Sequence, residues 1–259
     1  MGKTAIIGVG GLGGALADGL LAQGAQLSLC DRHPEKLARF VGRAETHLEP
    51  AAAVVDAEIV VLAVKPKVTP ATCALVASAA PGGALLVSCA AGVPVQALPW
   101  GGPVARAMPN IGAARGASTT ALFLGPRCDR ARDLERLAAL FGAVGSVREV
   151  PDEAWLHIVT AVAASGPAFL LLAVEALIDA AVEAGMPRAD AMAYAGGALR
   201  AAAVRLEDQR EPAALRAEVT SPGGTTAAGL ASLEAGGVRA AYHDAVRAAV
   251  ARARELAHG

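Results

Sequence analysis

The hydrophobic pattern of this chain changes once, near residue 151 of its 259 residues. Before that point, short apolar runs of strand type alternate with segments that have helical spacing. After it the strand signals stop, and helical segments bounded by proline and glycine follow one another. Alternation of strands and helices predicts a doubly wound parallel sheet, and a run of helices predicts a separate all-helical part. We therefore expect an α/β domain at residues 1–151 and a helical domain at residues 152–259.

The strands of the first part are marked by continuous apolar runs, as expected for parallel strands covered on both faces. The predicted strands span residues 4–9, 26–30, 57–64, 84–89, 104–108, 119–124 and 147–150. The helices predicted between them span residues 11–23, 34–41, 68–79 and 130–141. In the second part, helices are predicted at residues 152–164, 167–184, 187–206, 212–219, 225–234 and 238–257.

Composition excludes several classes of function. Hydrophobic residues make up 54% of the chain and charged residues 18%, which excludes intrinsic disorder. Aromatic residues make up 3%, and the net charge is −1 without a run of Lys or Arg, so we expect no nucleic-acid partner. The most apolar stretch, 158–178, is interrupted by Ser165, Gly166 and Pro167 and carries Glu175, so we expect no membrane span.

The cysteines indicate neither a metal site nor disulfide bonds. Cys30, Cys73, Cys89 and Cys128 form no C-x-x-C pair, and the sequence contains no H-E-x-x-H motif. Structural zinc and a disulfide framework are therefore not expected. We expect buried, reduced thiols and a cytoplasmic location.

A glycine-rich turn follows the first predicted strand. Gly8-Val9-Gly10-Gly11-Leu12-Gly13 has the spacing G-x-G-x-x-G, opens a predicted helix and is followed by a strand that ends at Asp31. In this setting Gly8 permits the tight turn, Gly10 lets the backbone approach a pyrophosphate, and Gly13 lets helix and strand pack closely. The helix N-terminus offers N–H groups and a partial positive charge to the phosphates. A glycine-rich turn without a ligand is the alternative.

Asp31 and Arg32 follow the second predicted strand, where the adenosine ribose of a dinucleotide would lie. A carboxylate here accepts hydrogen bonds from both ribose hydroxyls and favours NAD, whereas a neighbouring arginine can hold the 2′-phosphate of NADP. Since both residues are present, the sequence leaves NADH and NADPH open as cofactors.

The predicted helix 167–184 is apolar around almost its whole circumference. Glu175, Asp179 and Glu183 lie four residues apart and form one narrow acidic stripe on it. A helix of this kind needs burial on several sides, which a small helical domain can hardly supply alone. We therefore expect a second subunit to cover it, and so a homodimer.

Six segments of the chain, taken in order, resemble the pyrroline-5-carboxylate reductase family. They are Ala63-Val-Lys-Pro66, Ser88-Cys-Ala-Ala-Gly92, Arg106-Ala-Met-Pro-Asn110, Thr160 to Ala168, Val219 to Thr226 and Leu233-Glu-Ala-Gly-Gly237. The resemblance spans residues 4–257 and implies an N-terminal Rossmann domain with a C-terminal all-helical dimerisation domain. It also implies dimers that are often assembled into decamers, and hydride transfer from NAD(P)H to the cyclic imine 1-pyrroline-5-carboxylate, which gives L-proline.

Carried over by position, the resemblance implies two groups of site residues. The substrate would be held by Ser221, Thr225 and Thr226, with Glu153 at the position of an acidic residue near the site. Lys65 has the pattern of a buried cation near the cofactor and is interpreted as a cofactor-loop contact rather than a nucleophile. The cofactor-binding set is Gly8, Val9, Gly10, Gly11, Leu12, Gly13, Asp31, Arg32, Ala63, Val64, Lys65, Pro66, Cys89, Ala90, Ala91, Met108, Pro109 and Asn110.

The segment Ser221-Pro-Gly-Gly-Thr-Thr226 also predicts a site from its own residues. Hydroxyls and glycines immediately before a helix make a small anion site that suits a carboxylate, and an ordinary N-cap with a Pro-Gly turn is the alternative. We hypothesise that Ser221 and the amides of residues 225 and 226 bind the substrate carboxylate. The catalytic residue would be Thr226, hydrogen-bonded to the ring nitrogen, because imine reduction needs positioning more than acid–base groups.

Several positions depart from the family pattern and leave the exact imine open. Ile111 and Gly112 stand where the family continues with Thr-Pro, Ala164 where it has Gly, and Ala198 where it has Thr. The alternatives are a paralogous reductase of another small cyclic imine carboxylate and a non-catalytic NADP-binding regulatory protein. A hydroxyacid dehydrogenase is disfavoured, because it would want a catalytic lysine and the chain has no lysine after Lys67.

Overall fold

The structure is a computed structural model that describes residues 2–258, with side chains for residues 2–256. It divides into two compact units. The first is formed by the residues up to Ala164 together with those from Ala248 onward, and the second by Ser165–Arg247. The described strands all belong to the first unit, and the second unit is built of helices.

One eight-stranded sheet forms the centre of the first unit. Its strands are β1 Thr4–Ile7, β2 Leu27–Cys30, β3 Glu45–His47, β4 Ile59–Leu62, β5 Leu85–Ser88, β6 Val104–Met108, β7 Ser118–Leu124 and β8 Gly145–Glu149. They lie in the order β3-β2-β1-β4-β5-β6-β7-β8, and all neighbours run parallel except β6 and β7. The order reverses between β1 and β4, which is the point where open α/β sheets bind ligands beside the carboxyl ends of their strands.

Helices cover both faces of this sheet. They are α1 Gly11–Ala22, α2 Pro34–Leu37, α3 Pro50–Ala53, α4 Thr69–Ala77, α5 Arg130–Gly142 and α6 Trp155–Val159, and a π-helical segment follows at Thr160–Ala164. Val61 of β4 packs in a cluster with Leu16 and Leu137 on one face, and Val60 packs with Val76 on the other. Because successive strand residues point to opposite faces and both faces are covered, the strand sequences are continuous apolar runs. The predicted α/β fold is confirmed.

The antiparallel pairing of β6 and β7 was not predicted, and its cause is the short connection between them. Between Met108 and Ser118 the chain forms only a 3₁₀ turn at Ile111–Arg115. A parallel return would need a crossover of a dozen or more residues, usually a helix. The chain therefore turns back at this point, while β8 again runs parallel to β7.

Two local predictions differ from the structure. The strand β3, Glu45–His47, was missed because it is a polar, partly exposed strand at the edge of the sheet. The helix predicted at residues 34–41 is the single turn α2, followed by a 3₁₀ turn at Ala38–Phe40. Gly42 has φ +78°, a left-handed conformation that ends the helical path.

The second unit has little core of its own. Its helices are α7 Gly166–Glu183, α8 Arg188–Leu206, α9 Pro212–Glu218, α10 Thr225–Ala235 and the part of α11 Val238–His258 that runs up to Arg247. Ile178 of α7 packs with Ala191 and Ala195 of α8 as the buried cluster of this unit. Large apolar side chains stay exposed, among them Leu170, Leu171, Leu172, Leu177, Met192 and Tyr194. By length and composition alone the helical stretch Trp155–Glu183 could cross a membrane, a test that core helices of soluble proteins also pass.

Candidate active site

The loop after β1 contains two glycines that the fold itself requires. Gly8 has φ +96°, a left-handed conformation, and its N–H donates to the carbonyl oxygen of Cys30 at 2.7 Å. A Cβ on Gly13 would overlap the carbonyl oxygen of Gly8. A side chain at either position would therefore disturb the path from β1 into α1.

Gly10 and Gly11 differ from these two, because the protein leaves space beside them. Apart from the adjoining residues and the backbone of the helix itself, no described atom lies within 4 Å of a Cβ built on either glycine. Gly10 is the N-cap of α1, and none of the described side chains caps this helix. The helix thus begins at an open cradle where backbone N–H groups and the helix dipole favour an anion. The cradle fits the pyrophosphate of a dinucleotide.

A cleft of about 500 Å³ opens beside this helix terminus, and two of its cations were missed by the sequence prediction. In the sequence, Lys36 and Arg39 look like charged residues on the solvent-exposed face of a helix. Their charge was the only feature that could have marked them as site residues. Arg39 crosses over Gly14 to reach Asp18, with Nη1 and Oδ2 2.9 Å apart. The residues that line the cleft are Val9, Gly10, Gly11, Ala15, Asp18, Glu35, Lys36, Arg39 and Ala114.

Asp31 lies at the end of β2 and is 8% exposed. Its Oδ2 accepts a hydrogen bond from the N–H of Val9 at 3.0 Å, and its Oδ1 accepts one from the N–H of His33 at 3.0 Å. The carboxylate therefore ties the glycine loop to the end of β2. It keeps acceptor capacity for ribose hydroxyls, because an ionised carboxyl group has about four acceptor positions.

Two cations flank this carboxylate. Lys36 Nζ lies 3.5 Å from Oδ1 of Asp31. Arg32 is exposed, and its Nε donates to Nε2 of His33 at 3.1 Å. The structure thus adds Lys36 to Asp31 and Arg32, the pair that the sequence indicated. A carboxylate acceptor and two cations therefore lie close together near the expected ribose position.

The other segments predicted to bind the cofactor follow the carboxyl ends of three more strands. Ala63–Pro66 follows β4, Cys89–Ala91 follows β5, and Met108 ends β6 before Pro109 and Asn110. These strands run parallel to β1 and follow it in the sheet in the order β4, β5, β6, beyond the point where the strand order reverses. The fold therefore brings these segments to the same edge of the sheet as the glycine loop.

Lys65 is not buried, contrary to the expectation from the sequence. It is exposed and precedes the 3₁₀ turn Pro66–Val68, where its carbonyl oxygen accepts a hydrogen bond from Oγ1 of Thr69 at 3.1 Å. The sequence misled because Lys65 directly follows a buried apolar strand, whereas the chain has already left the sheet at this point. A contact with the cofactor loop stays a prediction for this residue.

The buried cation at this edge is Arg106, which is 2% exposed and lies in β6 beside Ser88 of β5. Its Nη1 donates to Oε1 of Glu153 at 3.1 Å, and its Nη2 donates to the carbonyl oxygen of Ala90 at 2.9 Å. The same carboxylate oxygen accepts the N–H of Val95 at 2.8 Å. Burial lowers the pKa of Arg106, while the hydrogen bond and charge of Glu153 act in the opposite direction. Glu153 is thus engaged within the first unit, and its contact with substrate stays a prediction.

The turn after β6 gives a local reason for the family departure at Gly112. Oδ1 of Asn110 accepts the N–H of Gly112 at 2.9 Å, and the N–H of Asn110 donates to Oγ of Ser118 at 3.1 Å. A Cβ on Gly112 would lie 2.6 Å from the carbonyl oxygen of Ala117. This tight turn has no room for a side chain at residue 112, whereas Ile111 is exposed.

The predicted substrate segment, residues 221–226, lies in the second unit and is an exposed turn that leads into the first two residues of α10. Gly223 has φ +67°, and the N–H of Gly224 donates to the carbonyl oxygen of Ser221 at 3.1 Å. Gly224 is the N-cap of α10, and no side chain among residues 2–256 caps that helix. The turn presents an uncapped helix N-terminus together with Ser221, Thr225 and Thr226, which is the donor set that a small carboxylate needs.

Comparison with known proteins decides the family. A model of pyrroline-5-carboxylate reductase dimerisation matches residues 153–256, and one of coenzyme F420-dependent NADP oxidoreductases matches residues 3–92. Pyrroline-5-carboxylate reductase of Mycobacterium tuberculosis is 40% identical over 289 aligned positions, which cover 99% of this chain and 97% of the relative. The chain belongs to the pyrroline-5-carboxylate reductase family. The reductase of Pseudomonas aeruginosa is 38% identical over 268 positions, which cover 98% and 97%.

The fold of this reductase family member agrees with that of a solved relative. A pyrroline-5-carboxylate reductase from Coxiella burnetii has a TM-score of 0.84 and 31% sequence identity, and the match covers 98% of each chain. The family predicted from the six sequence segments is thereby confirmed. The roles of individual site residues stay predictions.

Proposed function

We propose that this reductase converts 1-pyrroline-5-carboxylate to L-proline with a hydride from NADPH or NADH. The observation that carries the proposal is the open cradle at Gly10 and Gly11, in a chain that matches a pyrroline-5-carboxylate reductase over 99% of its length. The match of residues 3–92 to NADP oxidoreductases supports the same class of cofactor. The segments that follow β1, β2, β4, β5 and β6 meet at one edge of the sheet and would line the cofactor site.

In this reaction the chain's own residues bind and position. When bound, the nicotinamide supplies a hydride to the imine carbon. The ring nitrogen enters protonated and leaves as the secondary amine of proline, so the reaction needs no buried general base. Ser221 with the amides of residues 225 and 226 would bind the carboxylate, and Thr226 would accept the N–H of the ring. Positioning of this kind contributes several kcal/mol, roughly 7 or more in ideal cases.

Thr226→Ala tests the catalytic assignment. We expect turnover to fall by about tenfold or more, which corresponds to ~1.4 kcal/mol, because the ring nitrogen loses its hydrogen-bond partner. The matched control is Ser232→Ala, an exposed hydroxyl further along α10 that should leave turnover unchanged. An unchanged rate in Thr226→Ala would remove the proposed role.

The substrate is tested by following NADPH and NADH oxidation with 1-pyrroline-5-carboxylate beside a smaller and a larger cyclic imine carboxylate. We expect the highest kcat/KM with 1-pyrroline-5-carboxylate. Faster reduction of another ring size would identify a paralogous reductase, and would direct attention to the departures at Ile111, Gly112, Ala164 and Ala198. Tight NADPH binding without turnover of any imine would indicate a regulatory protein.

We propose that both cofactors serve, because Asp31 offers acceptors to ribose hydroxyls while Arg32 and Lys36 offer charge to a 2′-phosphate. Arg32→Ala should raise the KM for NADPH more than the KM for NADH. The control is Arg43→Ala, an exposed arginine that pairs with Asp18 instead. An equal loss for both cofactors in Arg32→Ala would contradict the assignment.

For the assembly we propose a homodimer through the helical part, with the decamer as a further assembly of such dimers. The exposed apolar side chains of α7 and α8 and the dimerisation match at residues 153–256 support this proposal. We further propose residues 1–151 as the cofactor domain, residues 152–259 as the substrate and dimerisation domain, and a cytoplasmic location without nucleic-acid or membrane partners. Light scattering of the eluting protein would give the number of subunits.

A further inference from the structure

Arg106 connects three segments of the first unit that are far apart in sequence. Its guanidinium holds the carbonyl oxygen of Ala90, in the loop that follows β5, and the carboxylate of Glu153, which follows β8. Glu153 in turn holds the N–H of Val95, at the far end of the same loop. The loop of residues 89–95, called the β5 loop from here on, is therefore fastened at two points by one ion pair.

Stability alone is a poor explanation for this ion pair. Nε of Arg106 is buried and has no hydrogen-bond partner among the described residues. Removing an arginine from water is costly, and replacing a buried ion pair by apolar residues of similar volume is often neutral or stabilising. The hydrogen bonds that the pair makes to the backbone of the loop give it a different role, which is to fix the path of that loop.

The β5 loop lies at the ligand-binding edge of the sheet. The N–H of Cys89 donates to the carbonyl oxygen of Leu62, at the end of β4, at 2.9 Å. The glycine loop follows β1 and Asp31 follows β2, and both lie on one side of the reversal in strand order. The β5 loop lies on the other side of that reversal. A dinucleotide bound across that reversal would place its adenosine half toward β2 and its nicotinamide half toward β5.

We propose that Arg106, braced by Glu153, is a positioning residue that holds the β5 loop in place for the nicotinamide half of the cofactor. The inference rests on the proposed function for its choice of ligand. Arg106 holds the backbone of the loop directly, and Glu153 holds the guanidinium of Arg106 in place. Without the pair, the Ala90 carbonyl and the Val95 N–H lose their partners, and the loop loses its fixed path.

The test compares ligands with and without a nicotinamide ring on the full-length protein. Calorimetric titration would give the Kd of NADPH and that of 2′,5′-ADP, which contains only the adenosine half; NADH and ADP replace them if the enzyme prefers NADH. For Arg106→Met we expect the Kd of the dinucleotide to rise by about tenfold, with the Kd of the adenosine fragment within about twofold of wild type. Equal weakening of both ligands, or no weakening of either, would overturn the proposal.

Arg127→Met is the matched control. Arg127 also holds backbone carbonyls, donating to Gly101 at 3.1 Å and to Trp100 at 2.6 Å, but these precede β6 at its amino end. Its loss should leave both dissociation constants unchanged.

The Glu153 variants keep the proposal testable if Arg106→Met does not fold. Glu153→Gln retains an oxygen that can accept from Arg106 and from the Val95 N–H, so it should keep most of the affinity that Glu153→Ala loses. Equal behaviour of the two variants would contradict the bracing role. A wild-type protein that binds NADPH but does not reduce 1-pyrroline-5-carboxylate would refute the proposed function, and this comparison of ligands would still be readable.

Discussion

The two units of this reductase bury their apolar side chains to very different extents. In the first unit the sheet carries a continuous core on each face, and strand residues such as Val60, Val61 and Leu86 are fully buried. In the second unit Ile178 has a small buried cluster, while Leu170 and Leu177 of the same helix are 49% and 58% exposed. The core around the sheet is thus completed by its own chain, whereas the second unit presents a surface that suits a second copy.

Leu177→Glu should have the largest effect on this difference. Leu170 and Leu177 lie seven residues apart on one face of α7, so a second copy that covers the helix would bury the new charge. An unpaired buried charge costs about 3–5 kcal/mol, and we expect the assembly to dissociate. Sedimentation velocity measures the change. Leu75→Glu on α4, where the leucine is 61% exposed, is the control and should leave the assembly intact.

Leu62→Ala tests the other side of the comparison. Leu62 ends β4 and is 0% exposed, so its truncation leaves a cavity in a core that one chain completes. We expect the free energy of unfolding to fall by about 2–5 kcal/mol. The loss should be the same at low and high protein concentration. A loss that grows on dilution would mean that the first unit also depends on a partner, and would break the contrast between the units.

Gly10→Ala tests the start of α1, which like that of α10 begins at a glycine without a side-chain cap. Because the protein leaves open space beside Gly10, the variant should fold normally while the Kd of the dinucleotide rises by about tenfold or more. Gly13→Ala should instead destabilise the fold, since its Cβ would overlap Gly8. The control is Gly82→Ala, which is equally open but lies outside the cradle. Normal cofactor binding by Gly10→Ala, measured calorimetrically, would place the pyrophosphate elsewhere.

The sequence predicted those parts of the site that are formed by residues adjacent in the chain. It did not predict the parts that are formed by residues far apart in the chain. The glycine loop could be recognised because its turn, its cradle and its helix start all lie within residues 8–13. The burial of Arg106 could not, because its partner Glu153 lies 47 residues away and a charged residue within a strand has no pattern of its own. Lys65 was placed wrongly for the same reason, since the apolar residues before it belong to the sheet and it does not. The direction of β7 depended on the length of a turn, which hydrophobic pattern does not report.

The last prediction concerns the thiols, and all four cysteines lie in the first unit. Burial raises the pKa of Cys73 from its ordinary value of 9.0 to about 11. The folded protein therefore favours the neutral thiol, and this contribution is fully present below pH 9 and is lost as the pH rises through 11. Burial also raises the pKa of Cys89 to about 12, although the charge of Arg106 acts in the opposite direction.

Cys73→Val removes one ionisable group at a site that is 0% exposed, with little change in volume. In urea unfolding between pH 9 and pH 11, the wild type should lose stability more steeply than the variant, by up to about 1.4 kcal/mol per pH unit for one thiol. Below pH 9 the two curves should run parallel. Rapid reaction of the native protein with a thiol reagent at pH 8 would contradict the raised pKa values.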